Sequence, residues 1–408
     1  MKSIAKVWRP RYFDIGVNFS DPMFNGFYNS KQRHSPDIDK VIARAHVFNV
    51  DKMLITASTI KESKDHFSLC QDFPQQFYST AGVHPCSVAN EFYVKDDSGA
   101  ATEVLRDDVD EKLAQLKQIV EQGVSKGFVK AFGEIGLDYD RFHYSSKSQQ
   151  ITMFTKQLEL IASLKHLQLP LFLHMRSACD DFVSILKPFI ENGSILKGNG
   201  VVHSFTGTQH ELDQLIELGF YISVNGCSLR DESSLPVAAR IPRDKLMIET
   251  DAPWCEVKRT HASYKYLTPY PNKFYPTVSK KQLDETFEKE DTEESLNQDK
   301  QTRKPNHGSQ KKPPVSYHEF LPYPSIKKEA FEKHLSKTEL KLKEFQNPDL
   351  IDNDIGEFAH PLVKSRNEPV FVGLIAEIMC ALYGITEDKE IEDFIDQVYE
   401  NSCNLFKV

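Results

Sequence analysis

Phe128-Val-Lys-Ala-Phe-Gly-Glu134 and Leu171-Phe-Leu-His174 are short apolar runs that each end on an ionisable residue. Between them Met153, Phe154, Leu158, Ile161, Leu164 and Leu167 recur at helical spacing. Buried runs joined by a helix-length connection read as a parallel βα unit, because a parallel neighbour can be reached only by a crossover. Outward from this unit the pattern repeats. Tyr12-Phe-Asp14, Met53-Leu-Ile-Thr56 and Phe77-Tyr-Ser-Thr-Ala-Gly-Val-His84 precede it; Val201-Val-His203, Phe220-Tyr-Ile-Ser-Val-Asn225 and Leu246-Met-Ile-Glu-Thr-Asp251 follow. Eight such runs before residue 252 predict an α/β fold, a closed (β/α)8 TIM barrel with its chemistry at the C-terminal strand ends. An open doubly wound sheet is the competing arrangement.

Past Asp251 the composition changes. Residues 255–282 carry six bases (Lys258, Arg259, Lys265, Lys273, Lys280, Lys281) against the single acid Glu256, interleaved with Tyr264, Tyr266, Tyr270, Phe274 and Tyr275. Such a segment either binds a nucleic-acid strand by stacking and charge or packs an insertion onto the barrel, and the residues leave both open. From Asp284 to Lys312 only Phe287 and Leu296 are large and apolar, too little buried surface to offset chain entropy, so about 283–315 reads as disordered. Helix formers return over 327–345. Val372, Ile375, Ala376, Met379, Leu382 and Tyr383 then mark an apolar-periodic helix, and a last helix is expected over 390–401. The reading is one barrel, 1–260 plus 362–408, interrupted by a long late insertion at 261–361.

Four strand ends carry the chemistry. Glu134, His174, His203 and Asp251 close four predicted strands, and a barrel brings those ends to one mouth. A single histidine there is more often a hydrogen-bonded structural residue; four ionisable groups at four corresponding ends are harder to bury without a cation. Two imidazoles and two carboxylates suit Zn²⁺, Mn²⁺ or Mg²⁺. His84 also ends a strand, and Arg176, two residues past His174, has the planar fork that matches phosphate oxygens. Asp14 and Asn18 lie at the end of the first strand region.

Phe13-Asp-Ile-Gly-Val-Asn18, Ser79-Thr-Ala-Gly-Val-His-Pro85, Gly133-Glu-Ile-Gly-Leu-Asp138, Leu173-His-Met-Arg176, His203-Ser-Phe-Thr-Gly207, Glu249-Thr-Asp-Ala-Pro253 and Lys364-Ser-Arg-Asn-Glu-Pro369 occur in that order. Taken together they resemble the successive motifs of the TatD family of metal-dependent deoxyribonucleases, especially its eukaryotic branch through Asp251-Ala-Pro-Trp-Cys255. The resemblance implies a TIM barrel of the metal-dependent hydrolase type. It implies Glu134, His174, His203 and Asp251 as metal ligands, Glu134 and Asp251 as catalytic, and His84, Arg176 and Asn18 as substrate or phosphate contacts. Gly16 and Asn18 stand where many relatives carry a His-x-His pair, so a second metal would have a leaner coordination. One or two divalent ions are implied, Mg²⁺ ahead of Mn²⁺ on a lean oxygen-rich site. The implied substrate is DNA, hydrolysed by 3′–5′ exonuclease action with some endonuclease activity. A small-molecule amidohydrolase or a D-aminoacyl-tRNA deacylase would use the same residues, and a catalytically dead scaffold would not need them.

Lys and Arg number 50 against 59 Asp and Glu, a formal charge of −9, which at first argues against a nucleic-acid binder. The average hides its parts. A mouth that holds cations needs carboxylates, so the charge that meets a phosphate is local. The longest apolar runs fall short of a bilayer span, the N-terminal residues lack an apolar signal region, and seven dispersed cysteines read as reduced thiols. A cytoplasmic or nuclear protein, not secreted and not membrane-bound, is the expectation.

Overall fold

The computed structural model describes residues 8–276, 316–335 and 360–408. Eight parallel strands occur in chain order: β1 (Tyr12–Val17), β2 (Val50–Ile55), β3 (Phe77–Ala81), β4 (Val129–Asp138), β5 (Leu171–Arg176), β6 (Gly200–His203), β7 (Tyr221–Val224) and β8 (Leu246–Ile248). Each pairs with the next. The edges β1 and β8 close through Asp251 N–H to Gly16 O (2.8 Å) and Asn18 N–H to Ala252 O (2.8 Å), so the sheet is a barrel. An open doubly wound sheet would leave those groups unpaired.

Helices α1 (Ile38–Val47), α2 (Ile60–Asp72), α3 (Val109–Ser125), α4 (Lys147–Ser163), α5 (Cys179–Glu191) and α6 (Gln209–Glu217) run between strands. α7 (Val372–Leu382) and α8 (Asp388–Phe406) complete the wall. Local sequence sets where several begin. Ser146 with Gln149, and Thr208 with Glu211, form reciprocal capping boxes at α4 and α6.

Strand alternation divides the apolar residues into two cores. One set, including Phe13, Leu54, Tyr78, Ala131, Phe172, Val201 and Met247, fills the barrel interior; the opposite faces pack against the helices. The interior is stoppered by α8, whose Phe406 meets Phe13 edge-on at 5.7 Å.

The residues expected to form the insertion are partly built into the barrel wall. Tyr270, Phe274 and Tyr275 are buried, and the rings of Tyr270, Tyr275 and Tyr323 surround Phe48 at 5.4–5.8 Å. A stacking platform for bases therefore does not exist at Tyr270, Phe274 or Tyr275. The neighbouring cations are also engaged: Lys265 with Glu232, Arg259 with Glu319 and Lys273 with Asp388. Lys280, Lys281 and the segment read as disordered (283–315) lie outside the described residues, as does most of the helix expected over 327–345, of which 331–335 is helical. The expected last helix, 390–401, is longer on both sides, as α8.

A buried charge cluster ties the later motif to α1. Arg44 forks onto Glu368 (2.9 and 3.0 Å), and Arg366 forks onto Asp37 (2.7 and 2.7 Å) while also reaching Glu368 (2.9 Å). Two guanidinium ions against two carboxylates leave no uncompensated charge, the condition under which buried ions persist.

Glu377 on α7 holds Thr268 through its backbone N–H (3.0 Å) and hydroxyl (2.5 Å). Burial pushes its carboxyl up to about 7 despite those bonds, and its Oε2 has no hydrogen-bond partner among the described residues. A carboxyl with a raised folded-state value favours the folded state below its unfolded value near 4.5, and that stabilisation is lost as pH rises toward 7. Glu377→Gln is expected to flatten this part of the thermal-midpoint profile and to stabilise the protein above pH 7 by an amount of order 3 kcal/mol or less. Thermal melts between pH 4.5 and 8 check this; an unchanged slope would show that Glu377 is charged without cost.

Candidate metal centre

Alternation also decides which polar side chains enter the mouth. Phe172 faces the barrel interior, so His174 and then Arg176 follow on the same side of β5. Val201 leads in the same way to His203, and Met247 leads past β8 to Glu249 and Asp251. In β4 simple alternation fails. Ala131 faces inward, yet three residues on Glu134 faces inward too, because the β4–β5 register shifts between Phe132 and Ile135. A bulge of this kind re-aims a side chain.

The result is a carboxylate oxygen surrounded by imidazoles. Glu134 Oε1 lies 2.7 Å from His203 Nε2, 2.9 Å from His174 Nδ1 and 3.1 Å from His84 Nε2. His174 Nδ1 and His203 Nε2 are themselves 3.3 Å apart. Glu134, His174 and His203 are at most 9% exposed. Burial alone would raise the Glu134 carboxyl, but the charges of His203 and His84 and the imidazole hydrogen bonds hold it well below the usual carboxylate range. The converse holds for the histidines. Burial works against their protonation, yet Glu134 raises His84, Asp138 and Glu134 raise His174, and Glu134 with Glu249 raises His203 well above the ordinary value.

Two carboxylates behind the histidines were not singled out from sequence. Asp138 Oδ2 lies 3.1 Å from His174 Nε2, and Glu249 Oε1 lies 3.4 Å from His203 Nδ1. Carboxylates on the far nitrogens of metal-binding imidazoles fix ring orientation and basicity. The period-two pattern held the signal for Glu249, which shares a face with Asp251. Asp138 is harder to read, since its face depends on the bulge.

Asp251 stands beside this group and is not among the contacts of Glu134 Oε1. Its Oδ1 accepts from Asn18 Nδ2 (2.8 Å) and its Oδ2 from the Cys255 thiol (3.3 Å). Burial pushes its carboxyl up to about 6, with Glu249 and Glu134 adding to the shift and His203 opposing it. Asn18 is in turn fixed by the Thr56 hydroxyl, at 2.6 Å. A Cβ at Gly16 would lie 2.7 Å from Glu249 Oε2, so Glu249 occupies the space that a side chain at position 16 would need. Arg176 stands at the rim, a quarter exposed, with Nη1 3.8 Å from Asp138.

His84, Glu134 and His174 present donor atoms close enough to share one ion, and His203 adjoins them. Ring nitrogens 3.3 Å apart, facing one carboxylate oxygen, form a donor set that a divalent cation satisfies. Among the described residues Glu249 Oε2 is buried without a hydrogen bond, and His203 Nδ1 has only the long 3.4 Å contact with Glu249 Oε1, so the polar cluster is not completed by its own residues.

The family described as TatD related DNase matches residues 13–298. A Schizosaccharomyces pombe protein named deoxyribonuclease Tat-D is 33% identical over 97% of this chain and 95% of its own. An Erwinia tasmaniensis protein named 3′-5′ ssDNA/RNA exonuclease TatD is 38% identical over 59% of this chain and 80% of its own. Among solved structures, a Saccharomyces cerevisiae protein described as an uncharacterized amidohydrolase superposes with a TM-score of 0.69 at 32% identity, covering 97% of this chain and 99% of that one. The barrel, its histidine-ringed mouth and the extent of these matches place the chain in the TatD family of DNase-related hydrolases.

Proposed function

We propose that this protein is a divalent-metal-dependent deoxyribonuclease that hydrolyses DNA phosphodiester bonds at the barrel mouth. The convergence of His84, His174 and His203 on one oxygen of Glu134 carries the reading, together with family membership. The nuclease names of the relatives favour it over amide hydrolysis or tRNA deacylation on the same scaffold.

Glu134, His174, His203 and Asp251 are the proposed metal-holding residues, with His84 close enough to join them. When bound, a divalent ion lowers the pKa of water and offsets charge at phosphorus. The remaining roles belong to the side chains. Arg176 at the rim is suited to pair with non-bridging phosphate oxygens, and its fork orients the scissile group. Asp251 is proposed to accept the proton of the attacking water at Oδ2. Asn18 holds the other oxygen of Asp251 and so orients the base. The carboxylate oxygens of Glu134 and Asp251 suit Mg²⁺, the proposed activator, and the imidazoles around Glu134 suit Mn²⁺ as the alternative. Removal of nucleotides from a 3′ end, with some internal cutting, is the proposed mode.

Residues 261–361 are proposed as an insertion into one barrel made of 1–260 and 362–408, its first residues serving as wall. Among the described residues no helix is long and apolar enough to cross a membrane. Seven cysteines without a disulfide support a reducing compartment, cytoplasmic or nuclear.

Glu134→Ala is expected to lower Mg²⁺- or Mn²⁺-dependent hydrolysis of end-labelled DNA by at least roughly a hundredfold, with EDTA abolishing the wild-type rate. Near-wild-type activity in Glu134→Ala would refute the site. Independently of turnover, Glu134→Gln removes the charge that raises His203, so its imidazole is expected to titrate at lower pH in the metal-free protein by NMR. Protons compete with the ion for these nitrogens, and metal affinity in the wild type should therefore weaken as pH falls.

A further inference from the structure

Cys227 follows β7 in a tight turn whose backbone N–H groups at Cys227 and Ser228 are held by Asn225 Oδ1, at 2.9 and 3.3 Å. Cys255 lies in the loop after β8. Its thiol donates to Asp251 Oδ2 at 3.3 Å, and the Cys227 and Cys255 side chains lie close enough to interact electrostatically. Their backbones touch. A Cβ at Gly226 would fall 2.1 Å from the Cys255 carbonyl oxygen, so only glycine lets the Cys227 turn lie flush against the Cys255 loop. Cys227 and Cys255 are partly exposed residues, as is Cys86, whereas Cys70, Cys179, Cys380 and Cys403 are buried.

We propose that Cys227 and Cys255 form a peroxide-sensitive modification site whose bridging removes the hydrogen bond that the Cys255 thiol gives to Asp251. A peroxide oxidises one thiol: its O–O bond breaks, the sulfur becomes a sulfenic acid, and one water leaves. The second sulfur then attacks, the S–S bond forms, the S–O bond breaks, and a second water carries away the remaining proton. Two thiols and one hydrogen peroxide yield one disulfide and two waters. The disulfide has no S–H, so Asp251 Oδ2 loses its donor. The bridge also ties the Asp251–Cys255 turn, closed by Trp254 N–H to Asp251 O at 2.9 Å, to the β7 turn. The consequence for hydrolysis rests on the reading of Asp251 given under Proposed function.

The test treats the full-length reduced protein with hydrogen peroxide and follows three quantities. These are the 227–255 cross-linked peptide by non-reducing mass spectrometry, Mn²⁺ affinity by calorimetry, and Mn²⁺-dependent DNA hydrolysis. Cross-linking is expected, with metal affinity and hydrolysis each falling by about tenfold and recovering in dithiothreitol. Cys227→Ser keeps the reduced-state rate and resists peroxide; Cys227→Ala supplies a second replacement if the serine variant misfolds. Absence of the cross-link while other thiols oxidise overturns the site. A cross-link that leaves both metal affinity and hydrolysis unchanged overturns its control of Asp251. If the reduced wild type hydrolyses no DNA, the nuclease reading fails separately, and a bridge-dependent change in Mn²⁺ affinity, or its lack, still decides this proposal.

Discussion

Glu134 keeps a negative charge beneath the surface because three imidazoles face one of its oxygens. A carboxylate stripped of water is costly unless donors replace the lost hydration. Much of the mouth answers that requirement: the β4 bulge that aims Glu134 inward, the strand ends that bring His84, His174 and His203 to it, and the carboxylates of Asp138 and Glu249 behind two of those rings. The arrangement also runs in reverse, since the same carboxylates hold the imidazoles more basic than burial would allow. A cation bound by this cluster would meet side chains already oriented by their neighbours, so little ordering would remain to be done on binding.

How much of this was legible in the residues depends on the length over which each rule acts. Alternation and crossover length are local, and they disclosed the eight strands; of the residues expected to close them His203 does so, while Glu134 and His174 lie within β4 and β5 and Asp251 lies three residues past β8. Alternation also links Met247 to Glu249 and Asp251 on one face. The inward turn of Glu134 is a different matter, because the register shift at Phe132–Ile135 arises from pairing with β5, a partner more than thirty residues away. The mixed basic and tyrosine-rich stretch was ambiguous for a related reason. Tyr270 and Tyr275 pack against Phe48, more than two hundred residues earlier in the sequence. Composition reports what a side chain is able to do and leaves its neighbours unstated.

The charge cluster of Arg44, Asp37, Arg366 and Glu368 shows the same dependence on distant partners. Lys364-Ser-Arg-Asn-Glu-Pro369 reads as a motif, yet its Arg366 and Glu368 serve the scaffold. Asn367 alone reaches toward the mouth, donating to Thr250 O and Trp254 O (2.8 and 2.7 Å) on either side of Asp251. A long excursion of chain after Asp251 is thus returned to the place it left, and the loop bearing Asp251 is braced from the far side of that excursion.

The stopper formed by α8 bears on the order in which the protein is made. Phe406 and Tyr399 belong to the same interior cluster as Phe13, Leu54 and Tyr78, so the first strands synthesised share a core with residues translated hundreds of positions later. During synthesis the barrel interior stays open at its floor, with Phe13 facing solvent or transient neighbours, until α8 leaves the ribosome. Contacts of such sequence separation are slow to form, and the half-built barrel exposes apolar surface while it waits. Until α8 docks, therefore, the strands present to solvent an apolar interior that the finished barrel conceals.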